Sequence, residues 1–527
     1  MKFNKEIMKK IGAVSLATCM SLSMAACGGD LPDIDIDSVE KVDKTKTQLY
    51  VGVFDGALGY KWLSEYKKMY EELHPDVQII IDPKKDYDVT LNTGMKTARQ
   101  SLYFLSQNMY STFINQDLVE DITDVVREKC YDEDMNYVGV GGTKSIEDSM
   151  WADSKDVYEI NDKYYALPNW LSPSGIYYDA DLFEEYEYDV PETYNELIDL
   201  MNLMLLDDIT PFAFSGMMYI YTYALAGVWA SYEGKADFEL NSTFNGIDSD
   251  PRIGEITLET AYKLQQQQGK KAALKFAYDL MSNAAYTTAK TRSMGLTNET
   301  AQQEFVKSIN QTDAGMNRVA MFMESAYWEP ETADYMDQMG QINPNWAWGK
   351  RNFKYMPFPK FVGVEGIEDQ TNEKTTVYSS CPYSFVCINK AKTEEEKDLA
   401  KDFLKFTQSR ECLAIYTKYT SCVRPYDYEM TPEEYNECTT LGKQFYDMTR
   451  DENVEFTFFG ARSDYHRDQS VTWDFEWNWM SQNDVVNTNI SFFAFYANPA
   501  LTVDKYFNGL STFWNKDYWY QKIKKYL

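Results

Sequence analysis

Histidine is almost absent from this chain: His74 and His466 are the two in 527 residues. So little imidazole excludes a histidine-rich metal centre and leaves little for histidine acid–base work. Cysteine is sparse as well. Beyond Cys19 and Cys27 near the N-terminus there are Cys130, Cys381, Cys387, Cys412, Cys422 and Cys438, too few for a disulfide scaffold and without zinc spacing. Buried structural thiols are expected, with Cys412 and Cys422 the candidate for a single bridge. Positive charge is short too, at 51 Lys+Arg against 82 Asp+Glu and a net charge of −31. That balance repels phosphate backbones and anionic head groups, so no nucleic-acid partner is expected. The sequence contains no G-x-S-x-G, H-E-x-x-H or G-x-x-x-x-G-K-[ST]. "GVGGTKS" from Gly139 approaches the last, but Lys144 follows Thr143 instead of Gly. Asp33, Asp35 and Asp37 open like a calcium loop, yet Ser38 and Lys44 stand where Gly and Glu are needed. With 82 acidic residues, carboxylate pairs of glycosidase type must exist somewhere and decide nothing. No catalytic residue, cofactor or metal is expected.

What is present begins with Lys2, Lys5, Lys9 and Lys10, an apolar stretch from Ile11 to Met24, and then Ala25-Ala26-Cys27-Gly28-Gly29. That order is an export signal over 1–26. No later segment has the roughly 20 uninterrupted apolar residues of a membrane-spanning helix. Residues 27–47 are polar, lack aromatics and read as a flexible tether. Aromatics make up 15% of the chain, with 41 Tyr and 12 Trp, which argues against disorder. The densest stretch is "VTWDFEWNWM", where Trp473, Phe475, Trp477 and Trp479 alternate with polar residues. The alternation fits a strand with one aromatic face, although Trp473 and Trp477 also fall one helical turn apart. Three readings stand at this level: a core face, a stacking platform for a ligand, or a membrane-surface belt.

Gln48 to Phe54 is β-rich. Trp62, Tyr66, Met69, Tyr70 and Leu73 then mark one face of a helix that ends before His74-Pro75, and Val77 to Ile81 is a second apolar strand. Strand, helix and strand over so short a span make a βαβ unit and a parallel sheet. The loop holding Asp55, Gly56 and Gly59 follows the first strand, at the sheet end where α/β folds bind ligands. Thr193 with Glu196 and Thr393 with Glu396 form capping boxes ahead of helices with apolar stripes. "PFAFS" from Pro211, "RVAMFME" from Arg318, "FKYMPFP" from Phe353 and "PYSFVCI" from Pro382 read as strands. Gln265–Gln268 reads as the exposed face of a long helix, and Trp346 and Trp348 as loop packing. The class is α/β, in at least two domains.

"YYALPNWLSPSGIYYDADLFEE", "VPETYNELIDLM", "GMNRVAMFMESAYW", "YMPFPK" and "FVCINKAKTEEEKDLAKDFLKF" occur in this order. Together they resemble the family 1 extracellular solute-binding proteins, the maltose-binding-protein-like receptors of ABC sugar importers. The resemblance runs from about Leu49 to Pro425 and departs from the family at "SLYFLSQNMY". The residues before Gly28 resemble a lipobox, which implies that Cys27 is lipidated and anchors the chain to the outer face of the bacterial cytoplasmic membrane.

The resemblance further implies a two-lobed, periplasmic-binding-protein type II-like fold with a ligand cleft between the lobes. Lobe 1 would hold 48–166 and 380–428, and lobe 2 would hold 167–379 and 429–527. Carried over by position, the ligand contacts are Asp55, Trp170, Tyr219, Glu324, Tyr327 and Trp328, with Trp473 or Trp477 added from the aromatic stretch. With Cys27 as anchor and acidic neighbours at Asp474 and Glu476, the membrane reading of that stretch falls away. The expected function is capture of an oligosaccharide by a monomer that delivers it to the importer's permease. A surface glycan-binding lipoprotein of another uptake system and a carbohydrate hydrolase are the alternatives.

Overall fold

In a computed structural model of the chain, the described residues are 42–85, 87–105, 110–169, 171–215, 224–292, 297–310, 317–379, 384–457, 495 and 500–527. The expected signal, Cys27 and most of the tether, together with Trp170, Tyr219, Cys381, Trp473 and Trp477, lie outside them. Residues 44–527 form one compact unit.

Its frame is two sheets. The strands are β1 (Thr47–Phe54), β2 (Val77–Lys84), β3 (Leu102–Leu105), β4 (Leu167–Pro168), β5 (Ser174–Asp179), β6 (Thr210–Phe214), β7 (Val319–Ser325), β8 (Phe353–Met356), β9 (Thr375–Tyr378), β10 (Phe385–Ile388) and β11 (Val454–Thr457). The first sheet runs β2-β1-β3-β10-β4 and the second β8-β5-β7-β6, while β9 pairs with β11 alone. β1 lies parallel to both β2 and β3, as the βαβ pattern requires, and β10 closes the sheet antiparallel to β3. In the second sheet β7 is parallel to β6 and antiparallel to β5.

Helix α1 (Lys61–Leu73) connects β1 to β2 and buries Trp62, Leu63, Tyr66 and Tyr70. Leu73, assigned to the buried stripe from its spacing, is exposed, because the helix ends there and leaves the sheet. Trp62 meets Tyr66, Phe104 and Tyr416 edge-on at 5.0–5.2 Å, so one large ring ties the helix to the sheet and to the helix Arg410–Thr420. Helix α2 (Tyr194–Leu206) starts at the expected Thr193/Glu196 box and buries Leu197, Leu200, Met201 and Met204 against the second sheet.

Two further expectations fail. Gln265 and Gln267 are fully buried, because the segment is a 3-10 turn (Ala261–Gln266) running into a helix (Gln268–Ser282) instead of one exposed helix. The Gln267 amide donates to Asp237 O at 2.8 Å and Asp248 Oδ2 at 3.1 Å, and it accepts from Trp229 Nε1 at 3.0 Å and Asn241 Nδ2 at 2.8 Å. Its hydrogen-bonding capacity is used in full, which makes burial of an amide affordable. No disulfide joins Cys412 to Cys422, and both are buried, as are Cys130, Cys387 and Cys438. Cys412 is enclosed in its helix and Cys422 in the turn beyond it. Trp346 and Trp348 are half-buried against the first core, as loop packing requires.

Candidate functional site

The loop after β1 is held in an uncommon shape. Ala57 (φ 46°) and Gly59 (φ 57°) both sit in the left-handed region, which a non-glycine residue enters at a cost and keeps where its surroundings fix it. The Gly59 carbonyl accepts from Trp62 Nε1 at 3.1 Å, and Asp55 N donates to Lys84 O at 3.0 Å. So anchored, the loop presents the half-buried Asp55 and the Ala57 N–H beyond the carboxyl end of β1. Burial raises the Asp55 carboxyl above its ordinary range, with Lys85 drawing it down and Asp334 pushing it up.

Facing this loop is the chain that leaves β7. Glu324 is the penultimate residue of the strand, Tyr327 is half-buried, and a short helical turn (Trp328–Glu331) carries Glu329 and Glu331. The Ala57 N–H reaches Glu331 Oε1 at 3.4 Å, and Lys61 pairs with Asp334 at 3.3 Å. Glu331 Oε2 accepts from Gln302 Nε2 at 2.7 Å. Glu324 is fully buried, and burial raises its carboxyl well above the carboxylate range. Glu331 adds to that shift, while the Ser325 N–H and the Tyr327 hydroxyl oppose it. Glu331 is raised too, first by burial. Among the described residues no partner reaches Glu324 Oε2 or Gln302 Oε1. The seam between the two sheets is therefore lined by acids: Asp55, Glu324 and Glu331.

Residues 56–411 match the family of bacterial extracellular solute-binding proteins. The chain belongs to that family.

A 59-residue stretch is 39% identical to the multiple sugar-binding protein of Streptococcus mutans and spans 14% of that protein's length. Among solved structures, this solute-binding protein superposes on a chitin oligosaccharide binding protein with a TM-score of 0.56 at 15% identity, covering 89% of this chain and 98% of that one. Maltose-bound MalE3 of T. maritima gives 0.54 at 15% identity, over 88% and 98% of the two chains. RafE in complex with raffinose gives 0.51 at 15%, over 89% and 100%. The fold is the two-lobed, type II periplasmic-binding-protein architecture.

In a solute-binding protein of this architecture the segments passing between the sheets set how the lobes move. One runs from β4 to β5. Its Leu171 bridges Val423, its Pro173 bridges Ser379, and Ser172 N donates to Ser379 Oγ at 2.9 Å. Ser172 and Ser174 meet Ser325 through their hydroxyls at 2.5 and 3.1 Å, which ties the crossing to the residue after Glu324. Behind the crossing lies Arg424, 1% exposed. Its guanidinium donates to Asn169 O at 2.9 Å, Asn169 Oδ1 at 3.0 Å and Thr407 O at 3.3 Å, and it lies 4.2 Å from the centre of the Tyr416 ring. Carbonyl oxygens and aromatic faces replace water around the charge. Asn169 immediately precedes Trp170, so Arg424 fixes the stem of a segment expected at the ligand.

The structure brings Asp55, Glu324 and Tyr327 to one seam through Glu331. Trp328 it places elsewhere. The indole has no exposed surface and packs against Tyr177, Phe305, Phe322 and Phe353 at 5.0–5.8 Å, in the core behind the second sheet. An aromatic after this strand was expected to stack on a ligand, and in this chain the aromatic cage takes it instead. Sequence reasoning passed over Glu331, Gln302 and Arg424. Glu331 lies four residues beyond Tyr327, within reach on one helical face, and that spacing was the one available signal.

Elsewhere, Glu233, Asp237 and Asp248 bring carboxylate oxygens within 4.8 Å of one another. Burial pushes Glu233 up to about 8 and Asp248 up to about 6. Protein donors already serve them: Gly269 N reaches Glu233 at 2.6 Å, and Asp250 N reaches Asp248 at 2.7 Å. A groove of about 520 Å³ lined by Met135, Arg410, Tyr428 and Met430 shares no residue with the seam.

Proposed function

We propose that this protein is the saccharide-capturing component of an ABC importer, anchored through lipidated Cys27 to the outer face of the bacterial cytoplasmic membrane. It binds an oligosaccharide between lobe 1 (48–166 and 380–428) and lobe 2 (167–379 and 429–527), and it hands the ligand to the permease without covalent chemistry. The observation that carries this reading is the seam itself. A strained, well-anchored loop at the carboxyl end of β1 faces buried acids at the end of β7, in a family whose members bind extracellular solutes. The named ligands of the structural neighbours, chitin oligosaccharide, maltose and raffinose, point the same way. Asp55, Glu324 and Tyr327 contact the ligand in this account, and Trp170, Tyr219, Trp473 and Trp477 are the aromatics assigned to stack on its rings. The N-terminal sequence supports the anchor, and among the described residues no helix is long and apolar enough to cross a membrane.

Titration of the soluble chain from Lys46 onward with mono- and oligosaccharides tests this. At least one oligosaccharide should change the intrinsic tryptophan fluorescence saturably and leave the reaction mixture free of shorter products. Release of shorter products would favour a hydrolase, and silence across the panel would remove the saccharide reading.

A further inference from the structure

Across the seam, polarity runs one way. The chain after β1 and β2 supplies donors: the Ala57 N–H, Lys61 at the start of α1, and Lys85 just beyond β2. The elements around β7 supply acceptors: Glu331, Asp334 in the first turn of the helix Ala333–Gly340, and Glu299 in the first turn of the helix Asn298–Lys307. The last of these helices packs against β6 and β7. Three contacts join the two sides. The Ala57 N–H donates to Glu331 Oε1 at 3.4 Å, Lys61 Nζ donates to Asp334 Oδ1 at 3.3 Å, and Lys85 Nζ lies 4.0 Å from Glu299 Oε1. Burial raises the carboxyls of both Asp55 and Glu331; Lys85 works against it at both, and at Asp55 it outweighs the push from Asp334. The like-charge approach of Asp55 to Asp334 is thereby offset.

The three contacts differ in setting. Glu331 is half-buried, and Gln302 Nε2 holds its other oxygen at 2.7 Å, so its carboxylate is already in position for the strained Ala57 loop. The lysine pairs sit at the exposed rim, where the Lys61 side chain is 61% and the Lys85 side chain 73% exposed. One exposed pair adds little to the stability of a fold. Between two arrangements of similar energy, however, a few such contacts acting together change the populations severalfold. Building on the capture between lobes proposed above, we infer that these rims form an electrostatic clasp. Lys61 and Lys85 on one side, with Glu299, Glu331 and Asp334 on the other, draw the two sheets together directly and hold them over the ligand. Glu331 is a positioning residue in this clasp and needs no contact with the saccharide.

Pulsed dipolar electron paramagnetic resonance on the purified full-length protein tests this. Spin labels go on Leu73→Cys, at the end of α1, and Ile342→Cys, beyond the helix that carries Asp334, both exposed positions. With no saccharide added, the parent should show a short-distance population. Lys61→Glu and Asp334→Lys should each reduce that population about threefold or more, and the two together should restore it. Glu331→Ala should reduce it as well, and raising the salt from about 0.02 M to about 0.5 M should act in the same direction on the parent. Absence of the short-distance population in the parent, equal populations in the single charge variants, or no recovery in the charge-swapped protein overturns the clasp. An unchanged population in Glu331→Ala overturns the place of Glu331 in it. Added oligosaccharide should enlarge the short-distance population of the parent. If no member of a malto-, cello- and chito-oligosaccharide panel does so while the charge variants behave as stated, saccharide capture falls and the clasp stands.

Discussion

At the scale of single residues, side chains alike in sequence are separated by what encloses them. Tyr327 and Trp328 are adjacent aromatics after the same strand, yet one is half-buried at the seam and the other is sealed among four rings. Trp328→Ala should lower stability by about 3–5 kcal/mol, the usual cost of emptying a large aromatic site, and a denaturant midpoint measures it. A loss under about 1 kcal/mol would contradict the cage. Glu329, 1% exposed, carries a second prediction. Burial raises it to about 7, although Ser421 and Thr439, the latter at 3.2 Å, favour its ionised form. The unfolded chain releases this proton near pH 4.5 and the folded chain near 7. The stability it contributes is therefore full below about pH 4.5, declines as pH rises to about 7, and is constant above. That decline amounts to up to about 3 kcal/mol. Glu329→Gln, which mimics the neutral acid, should gain stability relative to the parent on going from pH 5 to pH 8 in paired melting curves. An equal difference at both pH values would contradict the assignment.

At the scale of elements, local rules were readable where local chemistry decides. The βαβ start follows from apolar runs and a helical stripe, and that pattern alone places the Asp55 loop at the sheet's carboxyl end. The capping boxes were legible for the same reason, since Thr193 and Glu196 satisfy each other's backbone groups within one turn. Thr193→Ala should cost about 1 kcal/mol, read from urea unfolding, because an orphan N–H at the helix start loses its acceptor. The glutamine run shows where such rules stop. A polar residue usually marks an exposed face, but Gln267 finds partners on Asp237, Asp248, Trp229 and Asn241, all distant in sequence, and its burial depends on them. Gln302 and Glu331 were opaque likewise. Their role arises only when β7 and the helix before it meet the loop from the other sheet.

At the scale of the molecule, the two sheets are joined by crossings stitched with buried polar contacts: the serines around Ser325, and Arg424 beneath Asn169. Such stitching allows rotation between lobes while holding the crossing segments themselves in place. In the proposed function, ligand contacts from Asp55 on one side and from Glu324 and Tyr327 on the other would favour the closed arrangement by whatever affinity they add to it. The family and the order of elements were visible in the sequence, whereas the gathering of Asp55, Glu324 and Glu331 at one seam needed the tertiary structure. Small-angle X-ray scattering of the protein with and without a saturating oligosaccharide tests the central claim most directly. The account predicts a smaller radius of gyration in the saturated protein, and an unchanged radius at full saturation would contradict capture by closure between the lobes.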